Sequence, residues 1–166
     1  MSGDSRGGDS RGGDRKFRQK DLDPARVAAR DTLRAVRERD AYANLVLPKL
    51  LRERHITGRD AALATELTYG TARAQGTLDT IIAAAAGRGI ADIDGALLDV
   101  VRMGAYQLLR TRIGAHAAVS TSVDLVRSEQ GMGPSGFVNA VLRKVSQRSE
   151  DFWVDELAPD VADDLV

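Results

Sequence analysis

The sequence predicts an all-α fold, a bundle of six to eight helices with short connections. Three observations carry this. The apolar residues of each ordered segment recur at helical spacing; glycine and proline punctuate the segments; and the strands an α/β fold would need are absent. At 166 residues the chain is sized for one domain with an ordinary core.

The first 22 residues do not join that pattern. GDSRG occurs at Gly3–Gly7 and again at Gly8–Gly12, and so little apolar surface cannot offset the entropy of ordering, so residues 1–22 are expected to be a disordered Gly/Asp/Arg-rich tail. Its two RGG triplets, at Arg6 and Arg11, are followed by Arg15, Lys16, Arg18 and Lys20. Such a segment can track single-stranded nucleic acid through backbone charge and arginine stacking, or it can be a solubilising extension.

The first helix is expected from Asp23-Pro24, a cap residue followed by proline at the first helical position, to about Arg39. Ala25, Ala29, Leu33 and Val36 form its apolar stripe, and Arg26, Arg30, Arg34 and Arg37 form a basic ridge beside it. The second, about Ala43 to Arg54, buries Leu47, Leu50 and Leu51, with Pro48 tolerable only in its first turn. From Arg59 to about Ala86 the chain reads as helix, with either close packing at Gly70 or a break near Gly76. Asp92 or Asp94 then caps a helix running to about Arg112, whose wide stripe of Leu97, Leu98, Val101, Ala105, Leu108 and Leu109 marks it as central. After Gly114, residues 116–130 place Val119, Val123 and Val126 on one face. Pro134 and Ser135 introduce the last expected helix, with Val138, Val141, Leu142 and Val145 at helical spacing. Residues 150–166, acidic and interrupted by Pro159, read as a linker, leaving 23–149 as the folded domain and a chain that stops where a second domain would begin.

Net charge is formally zero, but it is segregated. Residues 15–149 hold 22 bases and 14 acids, a net of +8, while all seven charges from Glu150 onward are acidic. A positive domain attracts polyanions. The absence of cysteine removes disulfides and thiolate metal sites, two histidines (His55, His116) are too few for a His-rich one, and no metal site is expected. A reducing cytoplasm fits this composition. The longest apolar run, Thr80 to Ala86, is far below the roughly 20 residues of a membrane span, and the N-terminus has no signal-peptide core, so neither membrane insertion nor secretion is expected.

Four blocks carry a family resemblance: LATELTYGTAR (Leu63–Arg73), LDTII (Leu78–Ile82), YQLL-TRI-HAA (Tyr106–Ala118) and GFVNAVLR (Gly136–Arg143). In this order they resemble the NusB family of RNA-binding domains, and most of all the N-terminal domain of the ribosomal RNA cytosine-C5 methyltransferases called RsmB or Sun. One departure is Thr121, where the family usually has glutamate. The resemblance implies a NusB-like bundle, RNA as partner, and a catalytic methyltransferase domain or a ribosomal protein as further partner.

Cytosine-C5 methylation needs a nucleophile that adds to the ring, which these enzymes supply as a cysteine thiolate. This chain has none, nor a glycine-rich loop between strand and helix. It is therefore expected to be non-catalytic and without cofactor, S-adenosylmethionine belonging to a catalytic domain absent from it. The candidate RNA contacts are the tail bases, the helix-one ridge, Arg110 and Arg112 at the end of the central helix, and Arg143 and Lys144 on the last. Arg110 and Arg112 can equally be ordinary complements of a helix dipole. Glu66 and Arg73, seven apart around Gly70, are expected in an interior polar network, with a phosphate contact for Arg73 as the other reading. Tyr106 is a further structural position of the family. His116 is expected as a packed cap and Asn139 as a partner of a neighbouring turn.

Three functions compete: an accessory domain that positions small-subunit ribosomal RNA for a methyltransferase, a freestanding antitermination factor binding boxA-like RNA with ribosomal protein NusE, and a helical protein-docking module.

Overall fold

The computed structural model describes residues 22–158, so the tail bases Arg15, Lys16, Arg18 and Lys20 lie outside the described residues. Among the described residues there are eight α-helices and no strand: α1 (Pro24–Arg39), α2 (Ala43–Glu53), α3 (Gly58–Arg73), α4 (Gln75–Ala86), α5 (Gly95–Arg110), α6 (Ala115–Gln130), α7 (Met132–Ser146) and α8 (Glu150–Leu157), with one 3-10 turn at Ile90–Asp92. The all-α bundle is as the sequence predicts.

The hydrophobic pattern explains the architecture. α5 is the hub, packing against α1, α3, α4, α6 and α7, because Leu98, Val100, Val101, Met103 and Ala105, on more than one side of its middle turns, are all buried. A second, smaller core of Ala25, Ala28, Leu47, Ile56 and Ala64 holds α2 onto α1 and α3. Small residues set the closest approaches. A Cβ on Gly70 of α3 would run into the ring of Tyr106 on α5, and one on Gly104 would meet Leu142 Cδ1 of α7 at 2.7 Å and Ser122 Oγ of α6 at 2.8 Å. Both alternatives for residues 59–86 therefore occur: Gly70 is closely packed and the helix breaks, at Ala74 rather than Gly76.

Asp23 caps α1 through the Ala25 N–H, which donates to its carboxylate at 3.2 Å. Pro48 sits sixth in α2, beyond the first turn to which the sequence reading confines it. The backbone carbonyl it leaves without a helical donor belongs to Asn44, an exposed residue that water can reach.

Residues 150–157 depart from the linker reading. The Ser149 hydroxyl accepts from the Phe152 N–H at 3.2 Å and Glu150 and Asp151 occupy the first turn, a favourable charge at a helix N-terminus. Trp153 is buried and its indole N–H donates to the Val145 carbonyl at 3.1 Å. Acidic composition masked a helix that one tryptophan anchors to α7.

Candidate nucleic-acid interface

The helix-one arginines have the spacing of a basic ridge, but the fold buries one of them and pairs the others with polar side chains of the protein. Arg30 is 1 % exposed, with its guanidinium 3.0 Å from both Asp31 and Glu129. Arg34 makes a two-pronged pair with Glu129 at 2.8 and 3.2 Å, and Arg37 a bidentate one with the buried Asp99 at 2.8 and 2.9 Å. Hydrogen bonds to these carboxylates raise both guanidinium pKa values. Arg26 pairs with Asp23 and donates to Gln107 Oε1 at 2.9 Å. Gly95, where a Cβ would strike the Arg37 guanidinium, makes room for one of these pairs. The expectation that helix one presents an RNA-binding ridge is corrected accordingly: these four side chains fasten α1 to α5 and α6, and their charge is neutralised within the protein. Helical spacing marked the common face but not the three partners, Asp99, Gln107 and Glu129, which lie 62 to 99 residues away.

Three other expectations change. Glu66 and Arg73 are exposed, and neither enters an ion pair or a side-chain hydrogen bond among the described residues, so the interior network is not formed. His116 is exposed and no side chain caps α6. Asn139 is half-buried, yet it bonds no neighbouring turn among the described residues. Arg110 is held by Glu150, at 2.7 Å at the closest, and that hydrogen bond raises its pKa. Thr121, in place of a glutamate, donates its hydroxyl to the Ala117 carbonyl at 2.7 Å.

Of the exposed bases that form no ion pair among the described residues, which include Arg73, Arg112 and Arg127, two adjoin on α7. Arg143 and Lys144 are exposed in its last turn and form no ion pair among the described residues. On one side, α7 and α6 enclose a groove of about 500 Å³ lined by Ala115, His116, Val119, Ser120, Val123, Asp124, Asn139, Arg143, Ser146 and Gln147. Those positions fall at three- and four-residue steps on each helix, so each contributes one stripe. Serine, alanine and valine on the α6 stripe keep the floor open. Burial raises the Asp124 carboxyl pKa, with Arg127 only partly opposing it. On the other side lies a shallower hollow of about 260 Å³ lined by Lys144, Gln147, Arg148 and Trp153, among others.

Aromatic rings lie beside two further arginines, Arg88 and Arg148, the second of which is ion-paired with Glu156. Arg88 lies 4.8 Å from the centroid of Phe137, and Arg148 lies 5.0 and 5.1 Å from Phe152 and Trp153. Phe152 is 53 % exposed. Cationic side chains beside exposed rings are what single-stranded nucleic acids use as stacking and phosphate platforms. The structure thus places Arg143, His116 and Asn139 in one groove with Asp124, and Lys144 in the other hollow with Arg148; Arg88, Phe137, Arg148, Phe152 and Asp124 are residues that the sequence reading does not select. Arg88 is legible there only as the middle of a Gly-Arg-Gly turn.

An all-α bundle with an open groove on its α6–α7 face, lined by one arginine, one aspartate, a histidine and uncharged side chains, is the class of protein defined so far. The family model described as "NusB family" matches residues 23–147, and the chain belongs to that family. It is 61 % identical over 149 residues to a Mycobacterium tuberculosis protein named as a methyltransferase, covering 90 % of this chain and 33 % of that protein. It is 34 % identical over 126 residues to the ribosomal RNA small subunit methyltransferase B of Pseudomonas putida, covering 76 % of this chain and 28 % of the relative. The chain therefore spans about a third of the length of these curated relatives. Among solved structures, a crystal structure of antitermination factors NusB and NusE in complex with dsRNA contains a chain that superposes with a TM-score of 0.68 at 22 % identity, covering 75 % of this chain and 95 % of that one.

Proposed function

We propose that this chain is an RNA-binding domain that helps to position small-subunit ribosomal RNA for a cytosine-C5 methyltransferase domain not contained in its 166 residues. The observation that carries the reading is the α7 face, where Arg143 and Lys144, exposed and without an ion pair among the described residues, adjoin an open groove. The Pseudomonas putida relative, named for methylation of small-subunit ribosomal RNA, supports the substrate class, and the greater length of both relatives supports a separate catalytic part. Transfer by this chain alone is not expected, because it contains no cysteine to serve as the thiolate nucleophile. Incubation of the purified chain with labelled S-adenosylmethionine and ribosomal RNA should give no labelled RNA.

The RNA reading is tested by fluorescence anisotropy with short single-stranded RNAs across a salt series. Arg143→Gln with Lys144→Gln should weaken binding to all sequences alike; an unchanged affinity in the folded double variant would remove the α7 face from the reading. A freestanding antitermination role is favoured by one observation, that the solved relative bound with NusE and RNA is matched over nearly its whole length. Co-purification of this chain with that ribosomal protein and boxA-like RNA would support it over the methyltransferase reading.

A further inference from the structure

Two polar side chains stand out in the α6–α7 groove because the protein supplies neither with a partner. Asp124 on α6 and Asn139 on α7 are both half-buried, both line the groove, and neither forms a hydrogen bond or ion pair among the described residues. Their polar atoms stay open to solvent, so the edge of a ligand can take the place of water there. Here they face an open cavity of about 500 Å³, within the size range of small-ligand sites, whose apolar side is formed by Val119 and Val123. Arg143 lines the same groove and forms no ion pair among the described residues, so it can meet a phosphate.

Resting on the RNA reading above, we propose that this groove receives one unstacked base of a single-stranded RNA and that Asp124 selects guanine. An ionised carboxylate offers two acceptor oxygens and no donor. Of the four bases, guanine alone presents two adjacent donors on its Watson–Crick edge, the N1–H and the 2-amino group, and so can satisfy both oxygens at once. Adenine and cytosine set a ring-nitrogen acceptor beside their amino group, and uracil flanks its single N–H with two carbonyls, so each would turn a lone pair toward Asp124. The Asn139 amide can donate to guanine O6, and the two valines cover the ring face. Sequence-specific recognition of single strands proceeds in this manner, through edges of bases taken out of the stack.

The experiment measures the affinity of the full chain for three uridine 12-mers carrying one central guanosine, inosine or adenosine, by anisotropy at fixed salt. The guanosine oligonucleotide should bind about tenfold more tightly than the adenosine one, in keeping with a single bidentate contact, and inosine, lacking the 2-amino group, should fall between them. In Asp124→Asn, whose helicity is checked by circular dichroism, the guanosine-to-adenosine ratio should fall to about one or invert, since an amide offers one donor and one acceptor. Equal affinities for all three oligonucleotides, or a guanosine preference that survives in Asp124→Asn, would overturn base selection while leaving RNA binding by the α7 face intact. Binding to none of them would overturn the RNA reading and this one with it.

Discussion

Gly70 shows how a single side chain fixes the spacing of two helices. The Tyr106 ring occupies the space above its Cα, so Gly70→Ala forces either α3 or the tyrosine to shift. Overpacking of this kind costs about 1–3 kcal/mol, and thermal unfolding should show a lowered Tm, with much of the loss recovered when Tyr106→Leu is added. Asp124 gives a prediction of opposite sign. Its folded-state pKa is raised because burial penalises the charged form. The acid is neutral in both states below its ordinary value of 3.8, and the penalty enters as pH rises through the folded-state pKa. Asp124→Asn should therefore raise Tm at neutral pH, and that advantage should disappear below about pH 4. An advantage independent of pH would show that the carboxylate is not desolvated.

At the scale of elements, the chain is held by charged pairs that join distant helices as well as by its core. Glu129 ties the end of α6 to Arg30 and Arg34 on α1, and Asp99 ties α5 to Arg37. Removing one partner from a pair with a buried member leaves an uncompensated charge, which is why such residues cannot double as a free RNA-binding ridge. The last helix is the other element whose role the structure sets. Trp153 is 4 % exposed, hydrogen-bonded to α7, and flanked by Arg148 and by the Arg110–Glu150 pair. Trp153→Ala should cost about 3–5 kcal/mol, as other buried aromatic truncations do. Chemical denaturation measures it; a change below about 1 kcal/mol would return residues 150–157 to the status of a linker.

For the whole molecule, the distribution of unpaired charge decides where a polyanion can sit. If the α7 face holds RNA phosphates through Arg143 and Lys144, replacing both with glutamine should flatten the dependence of log affinity on log salt by up to roughly 1.4 units on a single strand. Arg26→Gln with Arg30→Gln should leave that slope unchanged and lower Tm instead, because those guanidinium groups already meet carboxylates and Gln107 inside the protein. The reverse pattern, a flattened slope at α1 with unaltered stability, would restore the helix-one ridge.

The sequence by itself determined the all-α class, the position of α5 as hub, the cap at Asp23 and the family, since each depends on local periodicity, on a cap, or on short blocks of residues read in order; close packing at Gly70 it offered only as one of two alternatives. It marked the basic surplus of residues 15–149 but could not say which bases are free. That was decided by tertiary structure, because Arg30, Arg34 and Arg37 meet Glu129 and Asp99 only once α5 and α6 pack across α1. The candidate site followed the same rule. Arg143, His116 and Asn139 are readable one by one as unusual residues, whereas the groove that unites them with Asp124 exists only between two packed helices. Local pattern fixes which face a helix buries; long-range packing alone fixes what that face meets.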